Sequence, residues 1–176
     1  MVASVMRLLR SALLILAFAA LMVLAARLTV PMVPVPMTMQ TFAVLLAGAV
    51  LGARRGILAV LLYLALAAVG LPVLSDGASG LARFAGPTAG YLFAFPVAAG
   101  LVGALFERVG GLVAKLALLI GAHLLILTAG AAWLAVGIGL RPALDAGFTP
   151  FLIGAVVKSV LVVACAEGIR RAPLKL

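Results

Sequence analysis

The stretch TMQTFAVLLAGAVLGARRGILAVLLYLALAAV, residues 38–69, consists of two apolar runs joined by a basic turn. The first run ends at Leu51 and the second begins at Gly56, with Arg54 and Arg55 as the only charges between them. Glycine and adjacent charges favour a short turn between apolar helices. The stretch therefore predicts two membrane helices in a hairpin. Both are shorter than the roughly 17 to 25 residues of an ordinary span, which is compatible with tilt or partial re-entry.

The same alternation of apolar runs and short charged segments continues through the whole chain. Of its 176 residues, 67% are hydrophobic and 10% are charged, and the mean hydropathy is +1.40. A soluble domain of this size does not have such a composition. The predicted fold is an all-α integral membrane protein with six transmembrane helices in a single membrane domain, residues 1–176. These helices cover approximately residues 11–30, 38–51, 56–69, 87–106, 112–138 and 150–168.

The basic residues indicate how the chain is threaded through the lipid bilayer. The net charge is +9, but the basic residues form short clusters between apolar blocks, which argues against a nucleic-acid partner. If the N-terminus is cytoplasmic, the basic residues inside are Arg7, Arg10, Arg54, Arg55, Arg108, Lys115, Arg170, Arg171 and Lys175, and those outside are Arg27, Arg83 and Arg141. The positive-inside rule then places both termini in the cytoplasm, and the protein in the bacterial cytoplasmic membrane with multiple passes.

The outer connections differ from the inner turns in length and chemistry. Residues 28–37 contain three prolines, and residues 70–86 contain four glycines. The second segment also carries the polar side chains of Ser75, Asp76, Ser79 and Arg83. Irregular backbone at membrane depth must line a cavity or be buried in protein. We therefore expect a pocket that opens to the outside and is covered by these two connections.

Lys158 is a lone cation in the apolar segment 149–166. At roughly 1.5 Å per residue it lies about 12 Å below the turn at Pro150. A cation at that depth costs about 2.5–3.5 kcal/mol by insertion measurements, so it needs a partner. An ionisable side chain inside the membrane indicates a ligand or pathway site, and an anionic ligand group is one candidate partner.

Residues typical of ATP hydrolysis or of a buried proton relay are not found in the sequence. The run Gly110-Gly-Leu-Val-Ala-Lys115 lacks the glycine spacing of a P-loop and the following Ser or Thr, so it predicts no ATP hydrolysis. All four acidic residues lie at or near predicted helix ends, which disfavours a buried proton relay. They are Asp76, Glu107, Asp145 and Glu167.

Signs of an enzyme, a metal site or a cofactor site are weak as well. His123 is the only histidine and Cys165 the only cysteine, so neither a metal site nor a disulfide is expected. We interpret His123 as a packed, hydrogen-bonded imidazole, and we expect no cofactor. An intramembrane enzyme that uses Ser159 and His123 is the alternative from a different functional class, although their spacing does not support it.

Three motifs carry a resemblance to a known family. They are the run of residues 35–56, which contains Pro-Met-Thr-Met-Gln40, then Gly70-Leu-Pro-Val73, and Gly86-Pro-Thr-Ala-Gly-Tyr91. The sequence closely resembles the BioY family, the biotin-binding S components of energy-coupling factor (ECF) transporters. The resemblance implies the ECF S-component fold with a biotin site near the extracellular face. It also implies two partners: a transmembrane coupling protein (EcfT, or BioN in dedicated systems) and a cytoplasmic ATPase (EcfA or BioM).

The resemblance also suggests four substrate-binding residues. Lys158 matches a lysine of the sixth helix and would contact the carboxylate or the ureido carbonyl of biotin. Tyr91 and Thr88 match the Gly-Pro-Thr-x-Gly-Tyr motif and would stack on or hydrogen-bond the bicycle; capping and interfacial anchoring are their alternative roles. Gln40, the only side-chain amide in the chain, would contact the ligand or cap a helix.

Two further candidates follow from a difference between this sequence and the family, and from the positive charge of an arginine. Ala155 stands where the family often has an aspartate, so an acceptor and counter-charge for Lys158 are missing there. Asp76 is the predicted replacement. Arg83 would attract the biotin carboxylate or a lipid headgroup. A self-sufficient biotin carrier, or an S component for another carboxylated vitamin, remains an alternative.

Overall fold

The computed structural model of the protein describes residues 2–171 as a bundle of helices. In chain order the elements are α1 (Val2–Arg27), β1 (Thr29–Val30), β2 (Met37–Thr38), α2 (Gln40–Ala68), α3 (Ala89–Leu105), α4 (Gly111–Ile138), α5 (Leu140–Gly147) and α6 (Phe151–Arg171). Two short 3-10 helices, Ser75–Gly77 and Leu81–Phe84, lie between α2 and α3.

Two helical elements differ from the sequence prediction. Helix α1 begins at Val2 rather than near residue 11, because arginine is a good helix former and the helix continues through Arg7 and Arg10 beyond the apolar run. Helix α5 occupies a segment that we predicted as a connection. Its Pro142 lies in the first helical turn, where a missing backbone N–H costs no hydrogen bond.

Helix α2 is folded back on itself at Gly52. This glycine has φ 77° and ψ 173°, a backbone conformation that breaks the helix between residues 40–51 and 53–68. A Cβ on Gly56 would lie 3.0 Å from the Cα of Gly48, whereas the two residues would be about 12 Å apart along a straight helix. The two limbs therefore lie side by side, and the reversal falls within the predicted turn at residues 52–56.

The first limb of α2 is the centre of the bundle. All of residues 43–49 are buried, and small residues let neighbouring backbones approach closely. A Cβ on Gly48 would lie 2.3 Å from the carbonyl oxygen of Ala99 in α3, and one on Gly103 would lie 2.4 Å from the backbone nitrogen of Ala53. A side chain at either glycine would therefore force α2 and α3 apart.

The outer surface of the bundle is apolar. Within residues 2–171, the helices α1, α2, α4 and α6 are long and apolar enough to cross a membrane, and the apolar α3 is shorter at 17 residues. Large apolar side chains point outward on them, for example Leu16, Val136 and Ile153. Such a surface suits lipid and not water. The protein is a multi-pass membrane protein.

The two ends of the bundle have different chemistry. At one end, Lys115 and Arg170 pair with Glu167, and Arg170 also pairs with Glu107. Both cations lie 5.1 Å from the ring centroid of Phe106. This charged cluster joins the end of α3 to the start of α4 and the end of α6.

The opposite end is covered by the two irregular connections. The β1–β2 hairpin pairs Thr29 with Thr38 and Val30 with Met37. The guanidinium group of Arg27 donates a hydrogen bond to the carbonyl of Pro72, which ties α1 to the connection between α2 and α3. These contacts hold the two connections over the ends of the helices.

Candidate substrate-binding site

A cavity of about 310 Å³ lies beneath the two connections. Its wall comes from residues 32–38 and 74–88, from the first turns of α2, α3 and α6, and from the middle of α4. Small-molecule sites occupy roughly 300–1,000 Å³ and combine an apolar lining with a few placed polar groups. The volume and mixed lining fit a small vitamin-sized molecule.

All six residues predicted from the sequence line this cavity: Gln40, Asp76, Arg83, Thr88, Tyr91 and Lys158. They lie at two depths, inside the cavity and at its mouth. Gln40, Tyr91 and Lys158 are buried at 7%, 7% and 8% exposure. Thr88 is partly buried, and Asp76 and Arg83 are exposed in the connection that forms the mouth. The arrangement places an ammonium group deep inside and a guanidinium group near the opening.

Lys158 has neutral partners only. Its Nζ donates to the carbonyl oxygen of Thr38 at 2.6 Å and lies 3.4 Å from Oγ1 of Thr41. Within residues 2–171, no carboxylate lies within 4.0 Å of this nitrogen, and Asp76 in particular forms no ion pair with it. An ammonium group has three donors, so one donor and the charge are left for a ligand.

Both the oxygen and the nitrogen of the Gln40 side-chain amide form hydrogen bonds within the protein. Its Nε2 donates to the hydroxyl of Tyr63, which in turn donates to the carbonyl of Val73 at 3.1 Å. The Thr38 hydroxyl donates to Oε1 of Gln40 at 3.2 Å. This network fixes the amide at the cavity wall and leaves its second N–H available to a ligand.

Tyr63 is a supporting residue that the sequence reasoning missed. It is completely buried, and it lies eleven residues after Gly52, whereas Gln40 lies twelve residues before it. In a hairpin that reverses at Gly52 these positions face each other. A phenol inside an apolar run needs a hydrogen-bond partner, so the two observations together could have identified the pair.

Replacing Tyr63 with phenylalanine is expected to destabilise the protein. The change leaves the Gln40 amide and the Val73 carbonyl without their partner, and a buried unsatisfied polar group costs about 1–3 kcal/mol. For a chain of this size each kcal/mol lowers the melting temperature by about 2–4 °C. Thermal unfolding in detergent micelles measures the shift. An unchanged melting temperature would show that Tyr63 does not bridge the two segments.

Tyr91 and Thr88 differ in how the protein uses their hydroxyl groups. The Tyr91 hydroxyl donates to the carbonyl of Gly147 at 2.6 Å, so it already anchors the ring to the end of α5. Thr88 precedes the first residue of α3, but its side chain makes no capping hydrogen bond there. The ring of Tyr91 and the hydroxyl of Thr88 are therefore the groups that these residues present to a ligand.

Asp76 and Arg83 belong to the mouth. Asp76 has a positive φ of 56° within the 3-10 helix Ser75–Gly77, a conformation that aspartate tolerates better than most residues. Arg83 lies in the second 3-10 helix. Both side chains are exposed, so they can meet a ligand as it enters.

His123, predicted from the sequence to be a packed, hydrogen-bonded imidazole, also lines the cavity. Its Nδ1 lies 3.1 Å from the carbonyl oxygen of Leu119 and 3.0 Å from Oγ of Ser159, and Ser159 donates to the carbonyl of Ala155 at 2.8 Å. A carbonyl only accepts, so this network places the imidazole hydrogen on Nδ1.

The same network argues against a Ser–His catalytic pair. A nucleophilic serine needs its hydrogen directed at an unprotonated imidazole nitrogen. Here the nitrogen beside Ser159 carries a hydrogen, and the serine hydrogen is directed at Ala155. No cluster of three or more His, Cys, Asp or Glu side chains suited to a metal occurs among the described residues.

Comparison with known proteins gives consistent matches. The family model of the BioY family matches residues 1–174. The probable biotin transporter BioY of Pyrococcus horikoshii is 38% identical over 153 residues, which cover 87% of this chain and 91% of that protein. The biotin transporter BioY of Rhizobium etli is 44% identical over 140 residues, which cover 73% of this chain and 74% of that protein.

A solved structure matches as well. It is the crystal structure of the S component for biotin from an ECF-type ABC transporter, with a TM-score of 0.86 and 26% identity, covering 94% of this chain and 93% of that one. The S-component fold predicted from the motifs is thereby confirmed. The family match extends over nearly the whole sequence, and the chain belongs to the BioY family.

Proposed function

We propose that the protein is the biotin-binding substrate-capture subunit, the S component, of an ECF-type vitamin uptake transporter. The observation that carries the proposal is the cavity under the outer connections, in which the Lys158 ammonium retains a free donor and its charge. Biotin has an apolar fused ring and valeryl chain, a ureido group with two donors and a strong acceptor, and a carboxylate. A mostly apolar pocket with a few fixed polar groups suits that chemistry.

The relatives support a transporter role without catalysis. The matched proteins are named biotin transporters, and the matched structure is an S component for biotin. Gln40, Tyr91, Thr88 and Lys158 are the proposed ligand contacts inside the cavity. Asp76 and Arg83 are the proposed contacts at its mouth.

Biotin binding by the purified protein is the direct test. Titration calorimetry in detergent is expected to show one saturable site for biotin and none for a carboxylated vitamin without a ureido ring, such as pantothenate. Binding of pantothenate but not biotin would favour the alternative, an S component for another carboxylated vitamin.

The energy source is proposed to be external. The sequence has no P-loop, so transport would need a coupling protein of the EcfT or BioN type and an ATPase of the EcfA or BioM type. Biotin uptake measured in cells that lack every coupling ATPase tests this. Undiminished uptake in those cells would favour the alternative of a self-sufficient carrier.

The proposed topology has six transmembrane helices in a single membrane domain. They are α1, the two limbs of α2, α3, α4 and α6, with both termini in the cytoplasm of a bacterium and the cavity facing outward. The charged cluster of Lys115, Glu167, Arg170 and Glu107 would then lie at the cytoplasmic end, as the positive-inside rule requires.

Cysteine labelling is expected to show this orientation. The background variant is Cys165→Ser, since Cys165 is the only native cysteine. Ala82→Cys lies in the exposed connection over the cavity, and Gly110→Cys lies in the turn before α4, where a Cβ meets no atom within 4 Å. A membrane-impermeant maleimide should label Ala82→Cys in intact spheroplasts and Gly110→Cys only after lysis. The opposite pattern would reverse the proposed topology.

A further inference from the structure

His123 presents an unusual combination of burial and unused hydrogen-bonding capacity. The side chain is 2% exposed and lines the cavity. Its Nδ1 is occupied by the Leu119 carbonyl and the Ser159 hydroxyl, whereas Nε2 is buried and has no hydrogen-bond partner among the described residues. Buried polar atoms are almost always paired, so an unpaired one in a cavity wall calls for a partner.

The tautomer determines what kind of partner Nε2 can take. Because Nδ1 carries the hydrogen of the neutral imidazole, Nε2 has a free lone pair and acts only as an acceptor. We propose that Nε2 of His123 accepts a hydrogen bond from an N–H group of the substrate, which under the proposed function is one of the two ureido N–H groups of biotin. This assignment rests on that proposed function and adds a specificity residue to it.

The position of His123 relative to Lys158 supports a ureido group in particular. His123 and Lys158 both line the cavity, and the imidazole contacts Ser159, which follows Lys158 on α6. Both side chains therefore belong to the wall of the same cavity. A ureido group carries a carbonyl oxygen flanked by N–H groups, and thus matches a donor beside an acceptor. A carboxylate has acceptors only and would face the Nε2 lone pair unfavourably.

The proposed hydrogen bond from the ureido group to His123 predicts how biotin is oriented. The ureido ring would lie inward, against Lys158 and His123, and the valeryl carboxylate would point toward the exposed Arg83 at the mouth. Ala155, which is buried beside Ser159, contributes no polar side-chain atom on this wall, so the imidazole is the group there that can accept.

Two substitutions at position 123 separate the acceptor from the packing role. In His123→Asn the amide can replace Nδ1 as donor to Leu119, but nothing replaces Nε2. In His123→Gln the longer amide can place an oxygen near the Nε2 position. We expect His123→Asn to weaken biotin binding roughly ten- to hundredfold, because a site built to pair a substrate N–H loses that pairing, and His123→Gln to recover part of the loss.

Ligand analogues provide a readout that a purely structural role would not change. Biotin and its two ureido N-methyl derivatives are titrated against the wild type and His123→Asn. One methylation should weaken binding to the wild type at least tenfold and have little further effect on His123→Asn, because the same hydrogen bond is already lost.

The outcomes distinguish this inference from the proposed function. If the wild type binds no biotin, the proposed function is wrong. If the wild type and His123→Asn bind biotin equally well, the His123 assignment is wrong and the proposed function stands. The same holds if each N-methylation lowers the affinity of the wild type and of His123→Asn by the same factor. If His123→Asn does not fold, the test uses the wild type only. Tight binding of both N-methyl biotin derivatives to the wild type would overturn the assignment.

Discussion

Lys158→Met is expected to reduce biotin affinity by about 1.5–5 kcal/mol, roughly tenfold to several-thousandfold. Methionine keeps a similar length and apolar stem but removes the charge and the donors. The ammonium has neutral contacts only, to the Thr38 carbonyl and the Thr41 hydroxyl, so its charge is the strongest feature of the cavity that a ligand oxygen can use. Titration calorimetry on the purified variant measures the loss.

The same substitution is not expected to destabilise the free protein. Lys158 is 8% exposed and has no carboxylate within 4.0 Å among residues 2–171. Replacing a buried, unpaired charge with an apolar side chain removes a desolvation cost, which offsets the loss of two hydrogen bonds. The melting temperature without biotin should therefore stay the same or rise, while the stabilisation by a given concentration of biotin should decrease.

Lys115→Met is the matched control. Lys115 is the other lysine within residues 2–171, and it pairs with Glu167 in the charged cluster at the end remote from the cavity. Its replacement should leave biotin affinity unchanged. Equal affinity of wild type and Lys158→Met for biotin would remove Lys158 from the site, whatever the control shows.

Biotinamide, which lacks the carboxylate charge, then reports which end of biotin Lys158 holds. If Lys158 contacts the carboxylate, biotinamide should bind the wild type as weakly as biotin binds Lys158→Met. If Lys158 contacts the ureido carbonyl, the amide should lose little affinity for the wild type, and the full effect of Lys158→Met should remain. The second result is the one that the His123 acceptor predicts.

The sequence was sufficient to predict residues that line the cavity, because membrane solvation leaves few polar residues to choose from. A lysine deep in an apolar helix and a lone glutamine cannot be accommodated in lipid without partners. Loops with prolines, glycines and polar side chains at membrane depth must enclose something. The first rule selected Lys158, and the second drew attention to the connection that carries Asp76 and Arg83. Gln40 was selected by the resemblance to the BioY family, which also led to Asp76 as the replacement for a missing aspartate. All four residues line the cavity.

What the sequence did not provide were pairings across the bundle. Tyr63 meets Gln40 only because α2 reverses at Gly52. His123 meets Ser159 across 36 positions of sequence, a pair that the sequence suggested only for the enzyme alternative. The acceptor missing at Ala155 was assigned to Asp76, since a carboxylate is the obvious substitute. The structure places Asp76 at the exposed mouth without an ion pair to Lys158. It places the His123 imidazole against Ser159, whose hydroxyl donates to the Ala155 carbonyl.

The second large effect is expected for Gly130→Ala in α4. A Cβ on Gly130 would lie 2.1–2.2 Å from three atoms of the Tyr91 ring, well inside the contact distance of about 3.5 Å. The hydroxyl end of the same side chain is close to α5, because a Cβ on Gly147 would lie 2.4 Å from the Tyr91 hydroxyl oxygen. Overpacking of this kind costs about 1–3 kcal/mol.

Strain at this position should weaken biotin binding as well as lower stability, because Tyr91 lines the cavity and a shift of its ring would change the cavity wall. If the Tyr91 ring relieves this strain by moving into the cavity, the free-energy cost of the overpacking lowers biotin affinity roughly 5- to 150-fold. Thermal unfolding and biotin titration measure the two effects. Gly121→Ala is the control on the same helix, since its Cβ would meet no atom within 4 Å, and alanine favours a helix over glycine.

A double substitution tests whether Tyr91 is the cause of the strain. In the Tyr91→Ala background the added methyl group of Gly130→Ala has no ring to meet, so its cost should largely vanish. Gly90 of α3 also lies close to α4, since a Cβ there would lie 3.1 Å from the Cα of Gly130. The three atoms nearest to a Cβ on Gly130, however, all belong to the Tyr91 ring. An equal loss of stability in both backgrounds would mean that backbone packing between α3 and α4, and not the anchored tyrosine, requires glycine at position 130.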